Sequence, residues 1–211
     1  MTTHSLHGGA GQAGIGRIGP NAILQGLVAL TEAVGEPAAR ALMAHAGLLS
    51  HVDRPPTAMV DERDVQALHL TLRRELGVAR ARAIGRHAGL LTGDYLLAHR
   101  IPAPARAVLP RLPATWAARA LLMAVRQHAW TFCGSGVFAV LPAARGQPLR
   151  VSISSTATGR GAQADEPVCD YFAATFERLF QVLVHPATEV RETACTAMGA
   201  PVCIFEIAWR R

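Results

Sequence analysis

Three cysteines have the types and spacing to do chemistry together. Cys169 precedes a helical stretch, and Cys195 and Cys203 lie on the two arms of a hairpin, four residues either side of Gly199. In a hairpin centred there, Cys195 and Cys203 face each other across the ladder. Thiolates gathered in this way suit a structural zinc, which takes four tetrahedral ligands in a closed site. A fourth ligand has several candidates: Cys133, Asp165, Glu166 and Glu192. The alternative is that the cysteines are buried small hydrophobes. Four cysteines in a reducing compartment point to free thiols or metal ligands before disulfides.

Histidines form the second group. His99 sits one helical turn after Tyr95, on the same face. His128 extends the apolar positions Leu121 and Val125, and His87 lies earlier on the same helical stretch as His99. Neutral imidazole is a natural axial ligand, and equally a core or capping side chain. Arg100 can fork a carboxylate or satisfy helix-end carbonyls. Trp130 and Phe132 can stack on a flat ligand or fill a core. Asp94 with Tyr95 could form a proton-donor pair.

A helical half followed by a strand-rich half must position these groups. Helices are expected over 20–34, 36–46, 61–76, 77–100 and 114–130, marked by Pro20 at a start, Gly35, Gly47 and Gly77 as stops, and apolar residues at helical spacing. Leu24, Leu27, Val28 and Leu30 read as the apolar face of the first helix. Strands are expected over 136–141 and 149–155, then a helix over 166–185 carrying Phe172, Phe176, Leu179 and Leu183. A hairpin over 188–196 and 202–209 closes the chain. That order predicts an α+β fold, an antiparallel sheet with helices on one face. Residues 1–19 read as a disordered tail, and 20–211 as one domain with a helical part to 132 and a strand-rich part from 133.

Composition narrows the function. All 21 basic residues are arginine, against 15 acidic ones, for a net charge of +6. They are dispersed, and only 11 aromatics are available, so no nucleic-acid stripe is present. One GxGxxG, Gly9 to Gly14, lacks the preceding strand that dinucleotide binding needs. Ser152, Ser154 and Ser155 have no nucleophile elbow around them. Neither a signal peptide nor a membrane-spanning run is legible, which places the chain in the cytoplasm, at most peripheral to a photosynthetic membrane.

Three segments carry a resemblance: Gly93 to Pro102 (GDYLLAHRIP), His128 to Gly136 (HAWTFCGSG), and Cys195 with Cys203 to Ile207 (CIFEI). Together they resemble the bacteriochlorophyll 4-vinyl reductase family of phototrophic bacteria, over nearly the whole chain beyond residue 20. The resemblance extends to the ligand-sensing domains of aromatic-responsive activators and to trafficking-complex subunits that bury an acyl chain. It implies a small-molecule-binding fold and a Mg-tetrapyrrole intermediate as ligand. It also implies reduction of the 8-vinyl (4-vinyl) group of divinyl (proto)chlorophyllide, with NADPH as the reductant if the chain is a reductase. The alternatives are a carrier delivering intermediates to other bacteriochlorophyll biosynthetic enzymes, and a zinc-stabilised sensor module. A homodimer is implied by the same relatives.

The resemblance further implies that Tyr95, His99, Arg100, His128, Trp130 and Phe132 meet the pigment, with an apolar slot ringed by His99, His128 and Trp130. The cysteine spacing of 26 then 8 matches the zinc pattern of the sensor relatives. Their acidic ligand would fall near Pro148, which cannot ligate.

Overall fold

In the computed structural model, residues 16–142 and 146–209 are described. The glycine motif at 9–14 therefore lies outside the described residues. The chain enters earlier than expected. Strand β1 (Arg17–Ile18) pairs antiparallel with β2 (Val60–Asp61), so the ordered fold begins by Gly16 and not at residue 20. The correction has a physical anchor. Glu62, buried at the start of the next helix, receives the backbone N–H and the hydroxyl of Ser135 at 2.9 and 2.7 Å. Arg160 reaches the same carboxylate at 2.8 Å. The Glu62 backbone N–H is held by the Gly16 carbonyl.

The helices follow the caps and stops in the sequence. They are α1 (Asn21–Val34), α2 (Glu36–His45), a short α3 (Leu49–Asp53), α4 (Glu62–Leu76) and α5 (Val78–His99). Then come α6 (Ala103–Val108), α7 (Ala114–Gln127) and α8 (Asp170–Leu183). Asp61 caps α4 by accepting the Arg63 N–H at 2.8 Å. The face that α1 buries is not the expected one. Ala22, Ile23, Gly26, Ala29 and Leu30 point inward, whereas Val28 is exposed. Small residues let α1 lie close to its neighbours, and a count of large apolar side chains missed that face.

Strands β3 (Phe138–Val140), β4 (Leu149–Ile153), β5 (Thr188–Ala194) and β6 (Cys203–Trp209) form one antiparallel sheet, in the order β3-β4-β6-β5. The fold is α+β, as the sequence predicts. Helix α8 lies on the sheet, with Phe172 and Phe176 packing edge-on against Phe205 of β6. Glu177 ties the two layers, because one of its oxygens accepts the Val190 N–H of β5 at 3.0 Å. Helix α5 covers the opposite side of α8. A Cβ on Gly89 would come within 2.3 Å of the Tyr171 carbonyl oxygen, and one on Gly93 within 2.7 Å of Arg178. These two glycines let the backbones of α5 and α8 approach at this spacing.

Candidate metal centre

The three cysteines converge at one end of this α8–sheet layer. Cys169 is the residue before α8, Cys203 opens β6, and Cys195 follows the last residue of β5. The β5–β6 register, Ala194 opposite Ile204, continues one step to set Cys195 beside Cys203. The sulfur separations are 3.6 Å for Cys169–Cys203 and 3.9 Å for both other pairs. All three residues are fully buried.

Glu192 completes the group, and its carboxylate and the three sulfurs lie within 4.8 Å of one another. Residues 192 and 195 are an odd number apart, so on a regular strand they would face opposite sides. A β-bulge between Glu192 and Ala194 restores the phase and brings both inward. The acid is therefore Glu192 and not a residue near Pro148, which is exposed and heads β4 from the loop. Of the other candidates, Glu166 is engaged by Arg82, Asp165 is exposed, and Cys133 is buried outside the group, its thiol pushed up to about 12 by burial.

The residues fit a metal. Ligand atoms about 2.3 Å from one tetrahedral centre lie about 3.8 Å apart, close to the observed sulfur spacing. One Glu192 oxygen accepts the Cys169 N–H at 2.8 Å, while the other is buried without a partner. Two further buried polar atoms lack partners among the described residues, Arg73 Nε and Thr158 Oγ1. Arg73 donates to the Thr158 carbonyl at 2.8 Å, and the loop holding Thr158 wraps the cysteines. A Cβ on Gly159 would stand 3.0 Å from the Cys169 sulfur. Thr156 Oγ1 lies 3.2 Å from that sulfur, and the Thr196 N–H donates to Cys203 Sγ at 3.4 Å.

Charge explains the rest. Burial, then the neighbouring Cys203, pushes the Glu192 carboxyl up to about 8. Hydrogen bonds from Cys169 and Cys195 pull the Cys203 thiol down, and the same kind of contact with Cys195 and Cys203, with burial, pushes Cys169 up. Four acids packed this tightly oppose one another's ionisation, and a cation at their centre is what lets all of them ionise together.

The six residues expected at the pigment are placed differently. Phe132 belongs to the core, its ring edge-on to Phe138 and Phe176 at 5.8 and 6.3 Å. Tyr95 is half-buried, with its ring 4.8 Å from that of His99. His99, Arg100, His128 and Trp130 are all exposed, Trp130 by 65 %. Neither of the two best-formed hollows is lined by any of the six. One, of about 320 Å³, runs beside Arg82, Arg86 and Asp170, and the other, of about 270 Å³, beside Ser155, Arg160 and Thr196. The expected slot ringed by His99, His128 and Trp130 is thus replaced by an open face. The reason at His128 is local: α7 ends at Gln127, and the His128 Nδ1–H donates to the Ala124 carbonyl at 2.8 Å. A carbonyl only accepts, so the proton sits on Nδ1 and Nε2 keeps a lone pair. His87 pairs with Glu32 at 2.6 Å, and Asp94 with Arg178 at 2.6 Å.

Comparison with known proteins agrees with this arrangement. A 4-vinyl-reductase domain model matches residues 149–208, the segment holding the metal-ligand set. The chain is 44% identical over 207 residues to the bacteriochlorophyll synthase 23 kDa chain of Cereibacter sphaeroides, covering 98% of each. It is 40% identical over 189 residues to the chain of the same name from Rhodobacter capsulatus, covering 90% of this chain and 85% of that one. Among solved structures, a doubly substituted Tt H-NOX shares the fold, with a TM-score of 0.56, 13% identity, and coverage of 92% of this chain and 96% of that one. So does the phenol-responsive sensory domain of the transcription activator PoxR with phenol, with a TM-score of 0.52, 18% identity, and coverage of 70% and 74%. The chain belongs to the family of the bacteriochlorophyll synthase 23 kDa chains, the 4-vinyl-reductase family that its sequence resembles.

Proposed function

We propose that this chain serves bacteriochlorophyll biosynthesis by binding a Mg-tetrapyrrole intermediate and passing it to other enzymes of the pathway. The observation that carries this reading is the match, at 44% identity across 98% of both chains, to a bacteriochlorophyll synthase 23 kDa chain. His128 is the best candidate for the axial ligand. Its proton is committed to the Ala124 carbonyl, its ring is exposed, and the remaining nitrogen lone pair is the donor that magnesium takes. Trp130, two residues on, offers an exposed flat surface to the macrocycle. His99 with Tyr95, and Arg100 for a propionate, form the second candidate anchor.

The metal we infer at Cys169, Glu192, Cys195 and Cys203 is zinc, since three thiolates and a carboxylate close a tetrahedral site. Its contribution is structural: it ties the start of α8 to the β5–β6 hairpin. Arg73, half-buried beside the cluster, offsets the surplus negative charge such a ligand set carries.

Titrating the protein with chlorophyllide should give a red-edge absorbance shift and quench tryptophan fluorescence, with His128→Ala abolishing the shift. Absence of both signals in the unmodified protein rejects pigment binding. The second reading, reduction of the 8-vinyl group of divinyl (proto)chlorophyllide, is favoured by the match to the 4-vinyl-reductase domain. Tyr95 is its available proton donor, because Asp94 is engaged by Arg178. Monovinyl product on incubation with divinyl substrate and NADPH supports it, and no turnover leaves the carrier.

A further inference from the structure

The outer face of α7 has no role in anything above. Trp116 and Met123 stand 66 % and 62 % exposed. They are seven residues apart, so they project from the same side of the helix. Trp130, in the turn that follows, continues the row, and Val108 of α6 is 53 % exposed nearby in the chain. Arg119 and Arg126, also seven apart, form a parallel row displaced by three residues.

Charge sets this face apart. Arg100, Arg106, Arg111, Arg119 and Arg126 are all exposed, and none has a carboxylate within ion-pair distance among the described residues. Between Asp94 and Asp165 the sequence contains no acidic residue. Elsewhere the arginines are matched: Arg40 with Asp53, Arg82 with Asp170, Arg86 with Glu177, Arg178 with Asp94.

We propose that this face of α7 is a docking surface for anionic lipid headgroups. Tryptophan prefers the boundary between headgroup and hydrocarbon, where its ring is buried and its N–H stays wet. Guanidinium groups beside it fork phosphates. A helix with an apolar row and an arginine row lies in the plane of such a surface. No helix among the described residues is long and apolar enough to cross a membrane, so the contact would be peripheral. A second copy of this chain is a poorer occupant, because a two-fold contact centred on α7 would set arginine rows against each other. The inference is independent of the pigment reading. It rests on Trp116, Met123, Arg119 and Arg126, none of which is a candidate pigment contact.

The test mixes the full chain with vesicles of phosphatidylcholine alone and with about one third phosphatidylglycerol added. Binding by sedimentation should require the anionic lipid and weaken as salt rises. Brominated lipid should quench fluorescence through Trp116 but leave Trp209, stacked on Phe180 of α8, unaffected. Arg119→Gln with Arg126→Gln should weaken partition about thirtyfold, and Trp116→Ser with Met123→Ser should remove the quenching. Both double variants alter exposed side chains, so an unchanged melting temperature confirms that they fold. His128→Ala should leave vesicle binding intact, which separates this inference from the pigment reading. The proposal is overturned by equal binding to neutral vesicles, by double variants that bind as the parent does, or by a concentration-dependent dimer that Trp116→Ser dissolves.

Discussion

Helices α7 and α8 are both 14 residues long and both amphipathic, yet the fold uses them in opposite ways. Helix α8 buries ten of its residues between the sheet and α5, and its charged groups are paired: Asp170 with Arg82, Glu177 with Arg86, Arg178 with Asp94. Helix α7 buries four, Ala117, Ala118, Leu121 and Leu122, and leaves two large apolar side chains and its arginines in water. The contrast separates what holds the molecule together from what it offers to others. Stability should concentrate in the α8 layer and the metal-ligand set at its end. Substitutions on the outer face of α7 should change binding and little else.

The largest expected effect is at the metal-ligand set. Cys195→Ser removes one of three thiolates and leaves a buried, acid-rich cluster without its cross-link. Loss of a structural ligand should cost at least about 3 kcal/mol and bring bound zinc, read by elemental analysis, from one per chain toward none. Pigment affinity should fall less than stability does. A binding defect with unchanged melting would place the cysteines at the ligand and erase the division drawn above.

Next comes the α5–α8 contact. Gly89→Leu drives a side chain into the Tyr171 carbonyl and Ala174, where even a Cβ is too close. Overpacking of this kind should cost about 2 to 3 kcal/mol, measured as a shift in the denaturant midpoint. A cost below about 0.5 kcal/mol would mean that this layer is looser than its contacts suggest.

Glu62 gives a smaller, pH-dependent effect. Burial alone would raise its carboxyl, but the Arg160 guanidinium and the Ser135 donors outweigh burial and hold it below the usual 4.5. A carboxyl with a depressed folded value stabilises the protein above its unfolded value, and that contribution fades as pH falls through the folded one. Glu62→Gln should therefore cost about 2 kcal/mol near neutral pH. The gap to the parent should narrow from about pH 5 to about pH 3. A gap that is constant with pH would assign the loss to packing instead of charge.

Much of this was legible in the sequence, and the failures have causes. Glycine stops and prolines placed the long helices, because backbone chemistry is local. The cysteine trio was legible because hairpin symmetry about Gly199 puts Cys195 and Cys203 side by side. The fourth ligand was not, since its orientation depends on a bulge that alternation along β5 cannot reveal. The face of α1 was misread because Gly26 and Ala29 pack more closely than larger neighbours do. His128 sits at apolar spacing after Leu121 and Val125, but the helix ends one residue earlier and turns it outward. The enclosed slot failed for the same reason: spacing shows which residues share a face, not whether another element covers it.

The smallest expected effect tests the comparison most directly. Trp116→Ser with Met123→Ser removes two large apolar side chains, a change that inside α8 would cost several kcal/mol. On α7 both are more than 60 % exposed, so folding takes little of their surface out of water. The expected change in unfolding free energy is within about 0.5 kcal/mol, and replacing exposed apolar surface by hydroxyls should raise solubility. Equilibrium denaturation of parent and variant, side by side, checks both. A loss above about 1 kcal/mol would show that the two side chains are covered in the free protein. The outer face of α7 would then belong with α8, as part of what holds the fold, and would not be free to meet a membrane.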